Sequence, residues 1–146
     1  MFSKEESIKL KKEFWSQFGF ITKRKRKKKW ILYNTKIKGL NLKFEAERKY
    51  ASVSIDFDGK YDKNRLALYE KVMMYKPIIV EIIGDHFIWE KDFYLENGKE
   101  ICRIYTTLNK VSIFNKECWP KIFEFFFSEM EKLETAFLEI KDFLKD

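Results

Sequence analysis

Residues 40–57 read LNLKFEAERKYASVSIDF, and this stretch decides the fold class. Leu40, Leu42, Phe44 and Ala46 alternate with Asn41, Lys43 and Glu45. Ala51, Val53, Ile55 and Phe57 alternate with Ser52, Ser54 and Asp56 in the same way. A period of two sends successive side chains to opposite faces, so both runs predict half-buried strands. Glu47 to Tyr50 is then the hairpin connection between them.

Helices are expected on either side of this hairpin. Ser3 followed by Glu6 is a capping-box pair that opens a helix running to about Gln17. Leu10, Phe14 and Phe18, with Ile8 and Trp15 beside them, form its buried face, and Gly19 is a plausible stop. Trp30-Ile-Leu-Tyr33 has strand composition and is cut off from Leu40 by Gly39. After the hairpin, Asp62 is a good N-cap for a helix with Leu66, Tyr69, Met73, Val80 and Ile83 along one stripe. Pro77 should kink or split it near Met73 to Lys76. Phe87–Glu96 and Lys99–Leu108 flank Asn97-Gly98, a hairpin signal suited to a type I′ turn.

The last element is a sustained stripe: Trp119, Phe123, Phe126, Met130, Leu133, Phe137, Ile140 and Leu144 recur at alternating steps of four and three. Asn115 can cap it, with Phe114 and Trp119 as a staple pair, and Pro120 suits a slightly later start. The expected architecture is α+β: a mostly antiparallel sheet of about five strands, in the order α-β-β-β-α-β-β-α, with a long C-terminal helix. With 146 residues and no Pro/Gly/Ser linker, residues 1–146 are expected to form a single domain that contains a basic loop at 22–29.

Composition narrows the function by exclusion. A hydrophobic fraction of 45%, with 15 Phe, 7 Tyr and 4 Trp, is incompatible with a disordered chain. Apolar runs such as Ile78 to Val80 fall far short of the roughly 20 residues of a bilayer span. Charges from Lys4 onward argue against a secretory signal. The two cysteines, Cys102 and Cys118, form no disulfide framework, and no Asn-x-Ser/Thr site occurs, so a reducing cytoplasm is expected.

Most catalytic templates fail. The five glycines are scattered, so no phosphate-cradling loop exists. His86, beside Asp85, is the single histidine, and it reads as polar surface. Cys102 and Cys118 read as small buried residues, and no zinc-ligand spacing is present. Neither a metal nor a cofactor is expected. One catalytic alternative survives, a metal-dependent nuclease of the PD-(D/E)XK type, in which strand carboxylates hold Mg²⁺ and a lysine assists water. Glu45 or Glu47 would supply the first acid, and Asp58-Gly59-Lys60 the Asp-x-Lys triplet; Glu47-Arg48-Lys49 also matches it. The competing reading makes Asp58-Gly59-Lys60 a turn.

Charge carries the most information. The chain has 30 basic and 23 acidic residues, a net +7. Lys23, Arg24, Lys25, Arg26, Lys27, Lys28 and Lys29 are consecutive, and removing them would bring the formal charge to zero. Such a run is either a solvated loop or a sequence-nonspecific binder of nucleic-acid phosphates. Trp30 and Tyr33 follow directly and would stack on bases if exposed, or join the core if not. A membrane surface is the weaker alternative, since no lipidation signal accompanies the run. On the last helix, Phe125, Phe126 and Phe127 spread round more than half the circumference. Phe125 and Phe127 are therefore candidates for an interface, including that of a homodimer. A protein-interaction module with no nucleic-acid role is the remaining alternative.

A family resemblance adds to this. Phe14-Trp15, Trp30-x-x-Tyr33-x-x-x-Ile37-Lys38 and Phe44-Glu-Ala-Glu-Arg-Lys-Tyr-Ala-Ser-Val53 resemble a bacterial family labelled domain of unknown function 4268. So do Leu68-Tyr69-Glu70, Ile88-Trp89-Glu90, and Asn115-x-x-x-Trp119 leading into Glu131-Lys-Leu-Glu134. Members occur alone or attached to nuclease-like domains in restriction-type and defence-related proteins. The resemblance therefore implies nucleic-acid-associated work, and it carries no catalytic signature.

Overall fold

In the computed structural model, which describes residues 2–145, the hairpin of residues 40–57 forms one edge of the sheet. Strand β1 (Leu40–Ala46) pairs antiparallel with β2 (Tyr50–Phe57), Leu40 facing Phe57 and Ala46 facing Ala51. Helix α1 (Lys4–Lys25) precedes the hairpin; α2 (Asp62–Met73) and α3 (Lys76–Ile83) follow it. Strands β3 (Ile88–Tyr94) and β4 (Glu100–Asn109) make the second hairpin. A short 3-10 turn (Lys116–Cys118) leads into α4 (Trp119–Leu144). The described strands form one antiparallel sheet in the order β1-β2-β4-β3, so the fold is α+β with a long C-terminal helix. The span 1–146 expected for the domain ends at Met1 and Asp146, which lie outside the described residues.

Among the described residues the sheet has four strands, one fewer than the sequence suggests. Residues 30–33 are the difference. Asn34 N–H donates to Ile31 O at 2.8 Å, and Leu32 has φ +45°, so a turn occupies the place of a strand. The aromatic composition there serves burial of Trp30 and not pairing in the sheet. Helix α1 continues through Gly19 to Lys25, well past Gln17, so Thr22–Lys25 are helical and the expected loop 22–29 is shorter. A glycine in a helix interior costs about 1 kcal/mol. Here, burial of Phe18 and Thr22 on the same face outweighs it. Ile8, expected on the buried face, is exposed.

The capping box forms as expected: Ser3 Oγ accepts Glu6 N–H at 3.1 Å, and Glu6 returns a bond to Ser3 N–H at 3.2 Å. Pro77 divides the middle helix, with α3 beginning at Lys76. Asp62 is the first residue of α2 and pairs with Arg65 at 2.8 Å, while Tyr61 occupies the cap. The second hairpin turns through three residues. Gly98 N–H donates to Leu95 O, Gly98 alone has positive φ (+86°), and Leu95 N–H bonds to Lys99 O. That is a type I turn closed by a left-handed glycine, in place of the expected type I′.

Every residue of the Trp119–Leu144 stripe is buried. Phe126 sits at the centre, its ring 4.7 Å from Phe44, 5.2 Å from Phe18 and 6.2 Å from Phe14 (centroid distances). One face of the sheet, with Leu42, Val53, Ile55, Phe57 and Ile104, meets this stripe. The other face is polar. Asp56 and Arg103, opposite each other on β2 and β4, form a two-pronged ion pair with both contacts at 2.8 Å. Burial opposes the Arg103 charge, but the bonds to Asp56 outweigh it and hold the guanidinium protonated.

Candidate functional site

The basic run starts on α1 and continues into the loop that leads to β1. Lys23, Arg24 and Lys25 occupy the last helical turn, where the negative end of the helix dipole favours cations. Arg26 is the C-cap, its N–H bonded to Thr22 O at 2.9 Å. Lys27, Lys28 and Lys29 follow in the loop.

Arg26 differs from its neighbours. Its Nη2 donates to Glu134 Oε1 on α4 at 2.8 Å, and its guanidinium lies 3.6 Å from the centroid of the Trp30 ring. The second oxygen of Glu134 accepts the N–H of Ile31 at 2.6 Å. One buried carboxylate thus pins the chain at both ends of Lys27–Trp30. The remaining six cations are exposed, and among the described residues none of them is ion-paired with a carboxylate. The Lys25 ammonium lies 5.2 Å from the Phe127 centroid and the Arg24 guanidinium 5.9 Å from that of Phe20, cation–π contacts that leave both residues exposed.

The two aromatics after the run part company. Trp30 is half-buried: its ring stacks within 7° of Phe18, and its Nε1 donates to Thr22 Oγ1 at 3.0 Å. Its ring faces are covered by Arg26 and the core, so it belongs to the scaffold and is not a platform for bases. Tyr33, at the turn, is 76% exposed.

The nuclease candidates do not converge. Glu45 faces Ser52, whereas Asp58 follows Phe57 at the other end of β2. Six residues at about 3.4 Å each put them roughly 20 Å apart. Glu45 contacts Arg103 at 3.4 Å, Asp58 accepts from Asn41 Nδ2 at 2.9 Å, and Lys60 lies near the Tyr61 ring. Glu47 sits in the β1–β2 connection, where partial burial and the adjacent Glu45 raise its carboxyl pKa. Among the described residues no group of three His, Cys, Asp or Glu side chains is placed to hold a metal ion.

His86 rests on Glu129 of α4, Nε2 lying 2.9 Å from one carboxylate oxygen. Cys102 is buried, and burial raises its thiol pKa, which favours the unreactive form. Phe127, expected to face outward, is only 8% exposed and packs edge-on against Phe18 and Trp30. The apolar face of α4 is wide enough to take it into the core. Phe125 is half-buried against Phe126, so a self-association surface centred on these two rings would lack an exposed Phe127. Among the described residues no helix is long and apolar enough to cross a membrane.

Sequence reading missed Glu134, whose partners are 108 and 103 residues away, and it left Lys36 and Lys38 out of the basic surface. A signal for the lysines was available: no acidic residue occurs between Glu13 and Glu45.

A family model described as Domain of unknown function (DUF4268) matches residues 10–141, and the chain belongs to that family. No curated protein matched the chain, and no solved structure did.

Proposed function

We propose that this member of the DUF4268 family binds nucleic-acid phosphates without sequence preference, through Lys23, Arg24, Lys25, Lys27, Lys28 and Lys29. The observation that carries this reading is a set of six exposed cations with no acidic partner among the described residues, three on the last turn of α1 and three on a loop that Glu134 ties down at both ends. Free lysines on a fixed segment release counterions when they meet phosphates and lose little backbone entropy in doing so. Lysine suits this task, because its compact ammonium meets phosphate oxygens as a point charge, and contacts to phosphate carry no sequence information.

The separation of Glu45 from Asp58 favours binding over hydrolysis. The two free thiols, Cys102 and Cys118, suit a reducing cytoplasm. Association with defence-related nucleic-acid processing is part of this proposal and rests on the family.

The test replaces Lys27, Lys28 and Lys29 with Gln and follows binding to labelled DNA and RNA over a salt series. Affinity should fall uniformly across sequences, and the log-log salt slope should shrink by about 0.7–0.9 per lost contact. Folding stability should stay within about 0.5 kcal/mol of the parent, since these side chains are exposed. Unchanged affinity and slope would remove the run from function.

A further inference from the structure

Resting on that reading, we infer that the bound nucleic acid is single-stranded and follows the loop of residues 26–38, past Tyr33, to a second set of cations at Lys36 and Lys38. Three observations place this track. First, the loop runs alongside the C-terminal half of α4. Its start is fixed to Glu134, and Lys36, Ile37 and Lys38 border a shallow groove together with Leu144 and Lys145. Glu134 and Leu144 are ten helical positions apart, about 15 Å at 1.5 Å per residue. Second, Lys36 and Lys38 are exposed and have no carboxylate partner among the described residues, so they continue the positive potential at the far end of the loop.

Third, Tyr33 stands between the two sets and is held outward by strained backbone. Leu32 and Lys36, neither of them glycine, have φ of +45° and +65°. Leu32 packs against the core, and its carbonyl accepts Leu42 N–H at 3.1 Å, so the sheet edge enforces the turn. Strain of this kind persists only where the surroundings impose it. Its result here is an aromatic ring in solvent, flanked by cations. A ring of this kind stacks on an unpaired base, whereas a duplex hides its base faces within its own stack. Acids border the track at both ends: Glu131 at Lys27 and Lys28, and Glu70 in the groove of Lys36 and Lys38.

The test uses the intact chain, a labelled oligothymidylate of about 15 nucleotides, and a duplex of equal length. Tyr33→Ala should weaken single-strand binding roughly five- to a hundredfold and leave duplex binding unchanged, while Tyr33→Phe should retain the affinity. Lys36→Gln with Lys38→Gln should lower the single-strand salt slope by about 0.7 per contact. Circular dichroism should be the same for all of them. A silent Tyr33→Ala, or equal loss on single strand and duplex, overturns the single-strand track, whatever Lys36 and Lys38 do. If the Lys27–Lys29 variant also binds as the parent does, the phosphate-binding reading fails with it; if that variant loses affinity, only the track fails. Binding to phosphatidylserine vesicles with no binding to either oligonucleotide overturns both.

Discussion

Arg26 and Glu134 are 108 residues apart in the chain and 2.8 Å apart in the fold. This pair turns a run of like charges, which left alone would repel itself into a solvated loop, into a fixed surface. Glu134 is 7% exposed at its side chain and Arg26 16%, so both give up much of their hydration, and the contact stands or falls as a pair. The Ile31 N–H on the second oxygen completes the satisfaction of the carboxylate. Giving Arg26 to structure fixes the loop that carries Lys27, Lys28 and Lys29, while Lys23, Arg24 and Lys25 are held by α1.

Glu134→Ala should therefore destabilise the fold by about 3 kcal/mol, the lower end for breaking a buried pair, because Arg26 retains some contact with water. The same change should release Lys27–Trp30, seen as faster tryptic cleavage at Lys27, Lys28 and Lys29 under native conditions. Urea unfolding and a digestion time course measure the two effects. An unchanged midpoint together with an unchanged cleavage rate would show that the clasp contributes nothing.

Phe127→Ser discriminates between core and surface at the aromatic face of α4. With the ring 8% exposed and packed on Phe18 and Trp30, the loss should be about 3–5 kcal/mol, comparable with Phe126→Ala. Trp30 loses a neighbour in this variant, so its fluorescence should shift to longer wavelength as its ring gains access to water. A loss below about 1 kcal/mol would place Phe127 at the surface after all.

Where periodicity was long, it was decisive. The alternation through Leu40–Ala46 and Ala51–Phe57 and the heptad stripe from Trp119 to Leu144 each specify one face over many residues, and each forms as read. Short aromatic stretches mislead, because Trp30–Tyr33 has the composition of a strand while its backbone turns at Leu32. The end of α1 was missed for the opposite reason: a single glycine with nothing near it does not stop a helix whose apolar face continues to Phe18 and Thr22. At the site, the cations themselves are visible in the sequence, but their order is not. That order comes from Glu134, whose register on α4 marks it as half-polar surface until the 26–31 loop closes over it. The exposure of Tyr33 against the burial of Trp30 likewise depends on one positive φ, at Leu32.

The last prediction concerns pH and Glu47. This residue ends the β1 side of the connection, with its N–H bonded to Tyr50 O at 2.8 Å and its own carbonyl accepting Ile113 N–H at 3.0 Å, so its backbone is fixed. Partial burial raises the carboxyl pKa above the ordinary 4.5, Glu45 raises it further, and Lys11 and Lys43 oppose the shift. A carboxyl whose pKa is higher folded than unfolded binds its proton more tightly in the folded state. Its contribution is thus fully present below the ordinary value and is lost as pH rises through the raised one. At neutral pH the ionised Glu47 is a liability, and Glu47→Gln, which keeps the shape without the charge, should be the more stable protein. The advantage should shrink as pH falls and vanish below the ordinary glutamate value, where the parent is itself neutral. Urea midpoints of the two proteins at neutral and acidic pH test this. A Gln variant less stable than the parent at neutral pH would mean that Lys11 and Lys43 dominate and that the carboxylate is held as an ion.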